Sequence, residues 1–160
     1  MSDTKYFPTV EAIDKASQVL DEILEPTPFQ RNANLSDIYE AEVYLKREDL
    51  QMVRSYKIRG AYNKIRTIDP ELVENGIVCA SAGNHAQGVA FSCSKLKIMG
   101  SIFMPVTTPR QKIEQVRMFG REFIEIVLTG DTFDAANSAA IKFAKENEKT
   151  FIPPFDDPKV

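Results

Sequence analysis

From Gly76 onward the chain alternates between short apolar runs and amphipathic stretches, and this beat restricts the fold more than any other feature. GIVCA (76–80), SIFMP (101–105), EFIEIVL (122–128) and TFIPPF (150–155) have strand length and apolar content. Between them lie helical patterns: HAQGVAFSCSKL (85–96), the stretch from Pro109 to Gly120, and the stretch from Asp131 to about Glu146. Strand–helix alternation of this kind predicts an α/β fold, with a parallel four-stranded sheet, right-handed crossovers and helices on both faces. Thr108 is the expected N-cap of the second helix, with Pro109 in its first position and Gly120 at its end. Asp131 is the expected cap of the third.

The first fifty or so residues do not share that beat. TVEAIDKASQVLDEIL carries Val10, Ile13, Ala16, Val19, Leu20 and Ile23 at helical spacing, with Thr9 as cap and Pro26 and Pro28 as stops. LSDIYEA reads as a short turn capped by Ser36. EVYLKRE reads as a strand with Val43 and Leu45 on one face. Ser55 is expected to cap a helix running to about Arg66. This part reads as another layer or domain. The chain stops at Val160, soon after the fourth strand begins, so the expectation is an N-terminal portion of a longer protein.

Composition removes several function classes. Twenty basic and 23 acidic residues are well mixed, for a net charge of −3, and no basic face marks a nucleic-acid partner. Lys46-Arg47 is followed directly by Glu48-Asp49 and reads as self-neutralising. No run of apolar residues is long enough for a membrane span, and the first twelve residues lack the basic and apolar regions of a secretory leader. Cys79 and Cys93 form no CxxC and have no ligand-pattern histidine, so neither a disulfide nor a metal site is expected; reduced thiols in a cytoplasmic protein fit best. His85 is the single histidine, and without a GxSxG elbow a serine triad is unsupported.

Two stretches carry chemistry. In SYKIRGAYNK (55–64), Lys57 falls in the first turn of a helix, where the helix dipole disfavours a cation. Such a lysine either swings into solvent or serves as a neutral amine, the form that Schiff-base chemistry needs. In SAGNHAQG (81–88), Ser81, Ala82 and Gly83 follow a buried strand and open a helix. Small residues there admit a ligand close to backbone N–H groups at a helix N-terminus. The same stretch also reads as an ordinary strand-to-helix turn with Asn84 as cap. Position favours a site, because ligands in open α/β sheets bind beyond the carboxyl ends of strands. GxxxxGK[ST] and GxGxxG are both absent. TPRQK (108–112) reads as a capped helix start, Asp156-Asp157 as a turn, and Met52, Met99, Met104 and Met118 as core filler.

Taken together, SYKIRGA and SAGNHAQGVA resemble the tryptophan-synthase-β-like (fold type II) family of pyridoxal-phosphate enzymes. With TPFQR, VYLKREDLQ, FMPVTTPRQK, LTGDTFDAA and PFDDP the chain is similar to the biosynthetic L-threonine dehydratases (threonine ammonia-lyases) from about residue 8 to its end. The resemblance implies pyridoxal 5′-phosphate as cofactor, held covalently by Lys57, which would also move the substrate's α-proton. Tyr56 would pack beside the cofactor ring and Asn84 would bond its phenolic oxygen. The loop Ser81-Ala82-Gly83-Asn84-His85 would cradle the substrate carboxylate. The implied reaction is deamination of L-threonine to 2-oxobutanoate and ammonia, the first step of isoleucine biosynthesis, in a cytoplasmic homo-oligomer with no nucleic-acid or membrane partner.

Family likeness also implies a division of the fold: residues 1–52 as the N-terminal part of an incomplete large domain, 53–152 as a three-layer small α/β domain, and 153–160 as the start of a return to the large one. Pro153 stands where the family usually has histidine. The family's phosphate-binding glycine loop comes later in the chain than these residues, so little or no activity is expected of this polypeptide alone. The alternatives are a serine dehydratase or serine racemase on the same scaffold, and a non-catalytic α/β module.

Overall fold

In the computed structural model, residues 6–160 are described. The reading of a missing leader falls partly on residues 1–5, outside the described residues. The first half contains α1 (Val10–Asp21), β1 (Phe29–Arg31), α2 (Ala33–Tyr39), β2 (Tyr44–Lys46) and α3 (Lys57–Arg66). The second contains α4 (Pro70–Val73), β3 (Ile77–Ala80), α5 (Asn84–Leu96), β4 (Gly100–Met104), α6 (Arg110–Gly120), β5 (Ile124–Leu128), α7 (Phe133–Glu146) and β6 (Thr150–Phe151).

The four strands expected from the beat form one parallel sheet in the order β5-β4-β3-β6. Side chains alternate along its central strands with a period of two. Ile77, Cys79, Ile102 and Met104 enter the core shared with α3, α5 and α6. Val78, Ala80 and Phe103 face Ala140 and Ala144 of α7 on the other side. Both faces are therefore covered, which is why these strands read as continuous apolar runs.

The fourth strand is shorter than 150–155. Ile152 still donates its N–H to Val78 at 2.8 Å, but Pro153 and Pro154 have no N–H with which to extend the ladder. β5 likewise starts at Ile124, because 121–123 form a 3-10 turn. Several caps lie one or more residues from their expected places. Asn32, not Ser36, caps α2, and Ser36 Oγ instead accepts from Val43 N–H at 3.0 Å. Tyr56 rather than Ser55 precedes α3, Pro109 rather than Thr108 precedes α6, and Thr132 rather than Asp131 caps α7. Gly83, not Asn84, is the cap position of α5.

α1 packs onto α3 through Leu20, joined by Leu24 just past its end; the two meet Val53, Ile58, Tyr62 and Phe91. The stripe read along α1 is buried only at that end; Val10 and Ile13 are exposed. β1 pairs antiparallel with β2, and its three residues are all exposed, so it carried no burial pattern to read. Of the four methionines assigned to the core, Met104 is fully buried while Met52, Met99 and Met118 are exposed; the last three stand on surface elements with no layer above them.

The order of connections fixes where a ligand can sit. From β3 the chain steps outward through β4 to β5, then returns across the opposite face to place β6 on the other side of β3. The connections reverse between β3 and β6. The crevice beyond the carboxyl ends of those two strands is the switch point at which ligands bind in open parallel sheets. The segments leaving these ends are 81–84 and 152–160.

Candidate active site

α3 begins at Lys57, and its first turn is pressed against the start of α5. A Cβ built on Gly88 would lie 3.1 Å from the Lys57 carbonyl oxygen and 3.2 Å from Ile58 Cα. Only a glycine allows this approach without displacement. The crossing brings the two chemistry-bearing stretches into direct contact.

The chain leaving β6 ties them together from the other side. Its Ile152 carbonyl accepts a hydrogen bond from His85 Nε2 at 3.2 Å. Two residues on, the Pro154 carbonyl accepts from the Lys57 amine. Lys57 is half-buried, and its nitrogen stands 5.7 Å from the ring centre of Tyr56. A cavity of about 350 Å³ opens here, lined by Tyr56, Lys57, Arg59 and Gly60 on α3 and by Pro154, Phe155 and Asp156 opposite.

The α5 head is built differently from a side-chain-capped turn. Ser81 is buried, its N–H bonds the Phe103 carbonyl at 3.0 Å, and its hydroxyl accepts from Gly83 N–H at 3.1 Å. No heavy atom lies within 4 Å of the place a Gly83 Cβ would occupy. The turn is thus pinned from within while its outer side stays open. Asn84 is exposed at this open side.

His85 faces inward instead. It is buried, it donates through Nε2, and its Nδ1 has no partner. Burial pushes its pKa down to about 4; the bond to Ile152 opposes that shift and the nearby Lys57 charge adds to it. Its imidazole is neutral near pH 7, held as a strut between the α5 head and the β6 exit.

Sequence reasoning missed Glu48. The reading as a self-neutralising run holds for Asp49, which pairs with Arg47 at 2.7 Å; the Lys46 charge is only a minor influence on Glu48. Glu48 takes both nitrogens of Arg59, at 2.9 and 2.8 Å, and accepts from the Thr27 hydroxyl at 2.6 Å. The Arg59 hydrogen bonds hold the Glu48 carboxyl below the usual carboxylate range; burial opposes them and Thr27 assists. A bidentate pair of this kind fixes geometry as well as charge, and here it binds the β2 exit to the turn that carries Lys57. The arginine two residues after the lysine was the available signal.

Cys79 and Cys93 are buried free thiols; burial raises both, Cys93 to about 12. Among the described residues no group of three or more His, Cys, Asp or Glu side chains could hold a metal ion, and no helix is long and apolar enough to cross a membrane.

Two separate features offer chemistry to an aldehyde-bearing anion: a half-buried amine on the wall of the Lys57 cavity and, outside that cavity's lining, a helix head with space left by the absence of a side chain at Gly83. Both features fit pyridoxal phosphate and the carboxylate of an amino acid.

Comparison with known proteins agrees. The chain is 58% identical over 151 residues to the biosynthetic L-threonine dehydratase IlvA of Bacillus subtilis, across 94% of this chain and 36% of that protein. It therefore spans about a third of the length of the curated relatives it matches. Among solved structures it overlays the processed threonine deaminase isoform 2 of Solanum lycopersicum with a TM-score of 0.79 and 41% identity, over 91% of this chain and 44% of that one. It overlays maize serine racemase with a TM-score of 0.87 and 26% identity, over 95% of this chain and 45% of that one. The family described as pyridoxal-phosphate dependent enzyme matches residues 20–160, and the chain belongs to that family.

Proposed function

We propose that this chain is the N-terminal portion of a pyridoxal-phosphate-dependent L-threonine dehydratase, which converts L-threonine to 2-oxobutanoate and ammonia. The observation that carries the reading is the packing of Gly88 of α5 against the Lys57 turn, together with the tie of His85 and Lys57 to the same 152–154 segment beyond β6.

When bound, the cofactor supplies an electron sink that makes the substrate's α-proton removable. Lys57 is the residue that holds it and the base that takes that proton at Nζ. Tyr56 would flank the cofactor and Asn84 would offer it a side-chain hydrogen bond. Ser81, Ala82, Gly83 and Asn84 receive the substrate carboxylate on the α5 head, where backbone N–H groups and the helix dipole favour an anion. His85 joins that loop through its backbone, since its imidazole serves Ile152. Overall, water leaves from Cα and Cβ of threonine, and water then adds back as ammonia departs.

Residues 53–152 form the small domain in this reading, 1–52 are the N-terminal part of the large one, and 153–160, which lie along α3, are the start of the return to it. The complete enzyme is a cytoplasmic homo-oligomer. The 160-residue chain by itself is expected to turn over little or no substrate, because the resemblance puts the glycine-rich loop for the cofactor phosphate later in the chain than these residues.

Serine dehydratase or racemase activity is the second reading, favoured by the overlay on serine racemase; the much higher identity to threonine dehydratases argues against it. The full-length protein supplied with L-threonine and L-serine decides. Faster release of 2-oxobutanoate than pyruvate, lost in Lys57→Ala, is expected. Predominant pyruvate or racemised serine overturns the assignment.

A further inference from the structure

The chain after β6 does more than leave the sheet. Residues 154–160 run back along α3, the helix that carries Lys57, and are fastened to it at several points. Lys64 Nζ meets Asp157 Oδ2 at 2.7 Å, with both side chains largely buried. Asp157 Oδ1 accepts the Lys159 N–H at 2.8 Å, closing a turn. Asn63 donates to the Lys159 carbonyl at 2.9 Å, and Lys159 Nζ reaches the Thr67 carbonyl at 3.1 Å. Gly60 lies so close to Val160 that a Cβ there would come within 2.5 Å of its backbone carbon.

This strap also forms one wall of the Lys57 cavity, through Pro154, Phe155 and Asp156, and its Pro154 carbonyl holds the amine. Whatever fixes the strap on α3 therefore fixes where that amine sits and how openly the cavity admits an aldehyde. The Lys64–Asp157 pair is its charge-assisted fastening, one helical register (i, i+7) below Lys57 on α3.

We propose that Lys64 and Asp157 are positioning residues for Lys57: their ion pair latches the 154–160 strap, parks the amine on the Pro154 carbonyl and limits its condensation with an aldehyde. The proposal rests on the reading of Lys57 as the cofactor lysine. Removing either charge frees the strap, so the amine is released and the cavity wall loosens. Exposed lysines elsewhere, such as Lys142 on α7, are untouched by the latch.

The test uses pyridoxal phosphate itself. The 160-residue chain and its Asp157→Asn, Lys64→Gln and Lys64→Arg variants are incubated with it, quenched with borohydride at intervals, digested and mapped. In Asp157→Asn and Lys64→Gln, labelling at Lys57 accelerates about three- to tenfold while labelling at Lys142 is unchanged. Lys64→Arg, which preserves the pair, labels as the parent chain does. Equal Lys57 rates in all four proteins overturn the latch and leave the Lys57 reading standing. A rise shared by Lys142 also overturns it, since loosened structure alone would produce that. No label at Lys57 in any protein, with label elsewhere, overturns the cofactor reading and the latch together.

Discussion

Gly88 of α5 lies against the carbonyl of Lys57, with 3.1 Å between that oxygen and the position a Cβ would take. The missing side chain lets the lysine-bearing turn of α3 pack directly on α5. Gly88→Ala should push α3 away by a few tenths of an ångström. Overpacking costs about 1–3 kcal/mol, offset by roughly 1 kcal/mol from replacing a helical glycine. A net loss of about 1 kcal/mol is expected in urea unfolding, with a larger loss for Gly88→Val. Unchanged midpoints for both would show that the helices do not meet as described.

Gly83 offers the opposite case. A Cβ there meets nothing within 4 Å, so Gly83→Ala should leave the unfolding midpoint within about 0.5 kcal/mol of the parent. Space that a ligand uses is then partly filled. In the full-length enzyme the KM for threonine should rise at least about tenfold, as expected when backbone N–H contacts to a carboxylate are disturbed. A stable variant with unaltered KM would remove this turn from the substrate site.

His85 sets a pH dependence. Its folded pKa is near 4 against an unfolded value of about 6.5. Between those values the unfolded chain binds the extra proton, so stability is complete above about pH 6.5 and declines as pH falls toward 4. The total is roughly 3 kcal/mol at most. Unfolding midpoints measured across that range should fall with acidity in the parent chain and fall less steeply in His85→Gln.

Glu48→Gln should weaken the hold of the β2 exit on the Lys57 turn. The pair is half-sheltered, with side-chain exposures of 33% and 17%, so a cost of about 1–2 kcal/mol is expected. Hydrogen exchange at the first turn of α3 should accelerate, whereas Glu42→Gln, which breaks the exposed pair with Arg31, should leave it unchanged.

Much of this was legible in the sequence where one rule acted alone. The β3 and β4 runs are buried on both faces, so their apolar content announced them. Lys57 and Ser81–Gly83 stood out by residue type and position, a cation in a helix's first turn and small residues at a strand-to-helix turn, although each also had a reading without a ligand. Cap positions were less legible: Ser36 is a good cap residue whose hydroxyl is engaged by Val43 instead, and the Ser55 and Thr108 hydroxyls are buried without capping a helix. The turn read at Asp156-Asp157 holds, but the ion pairs Glu48–Arg59 and Lys64–Asp157 were not legible, because their partners lie 11 and 93 residues apart. Adjacent charges suggested themselves first, and no spacing rule reveals a pair that only the tertiary fold brings together. β1 was invisible because a three-residue exposed strand buries nothing.

Lys57 is proposed as the amine that takes the cofactor. Incubation of the chain with pyridoxal phosphate, borohydride reduction and peptide mapping tests it most directly. The account predicts a reduced adduct concentrated on Lys57 and absent from Lys57→Ala; label spread over exposed lysines with Lys57 unmodified would contradict it.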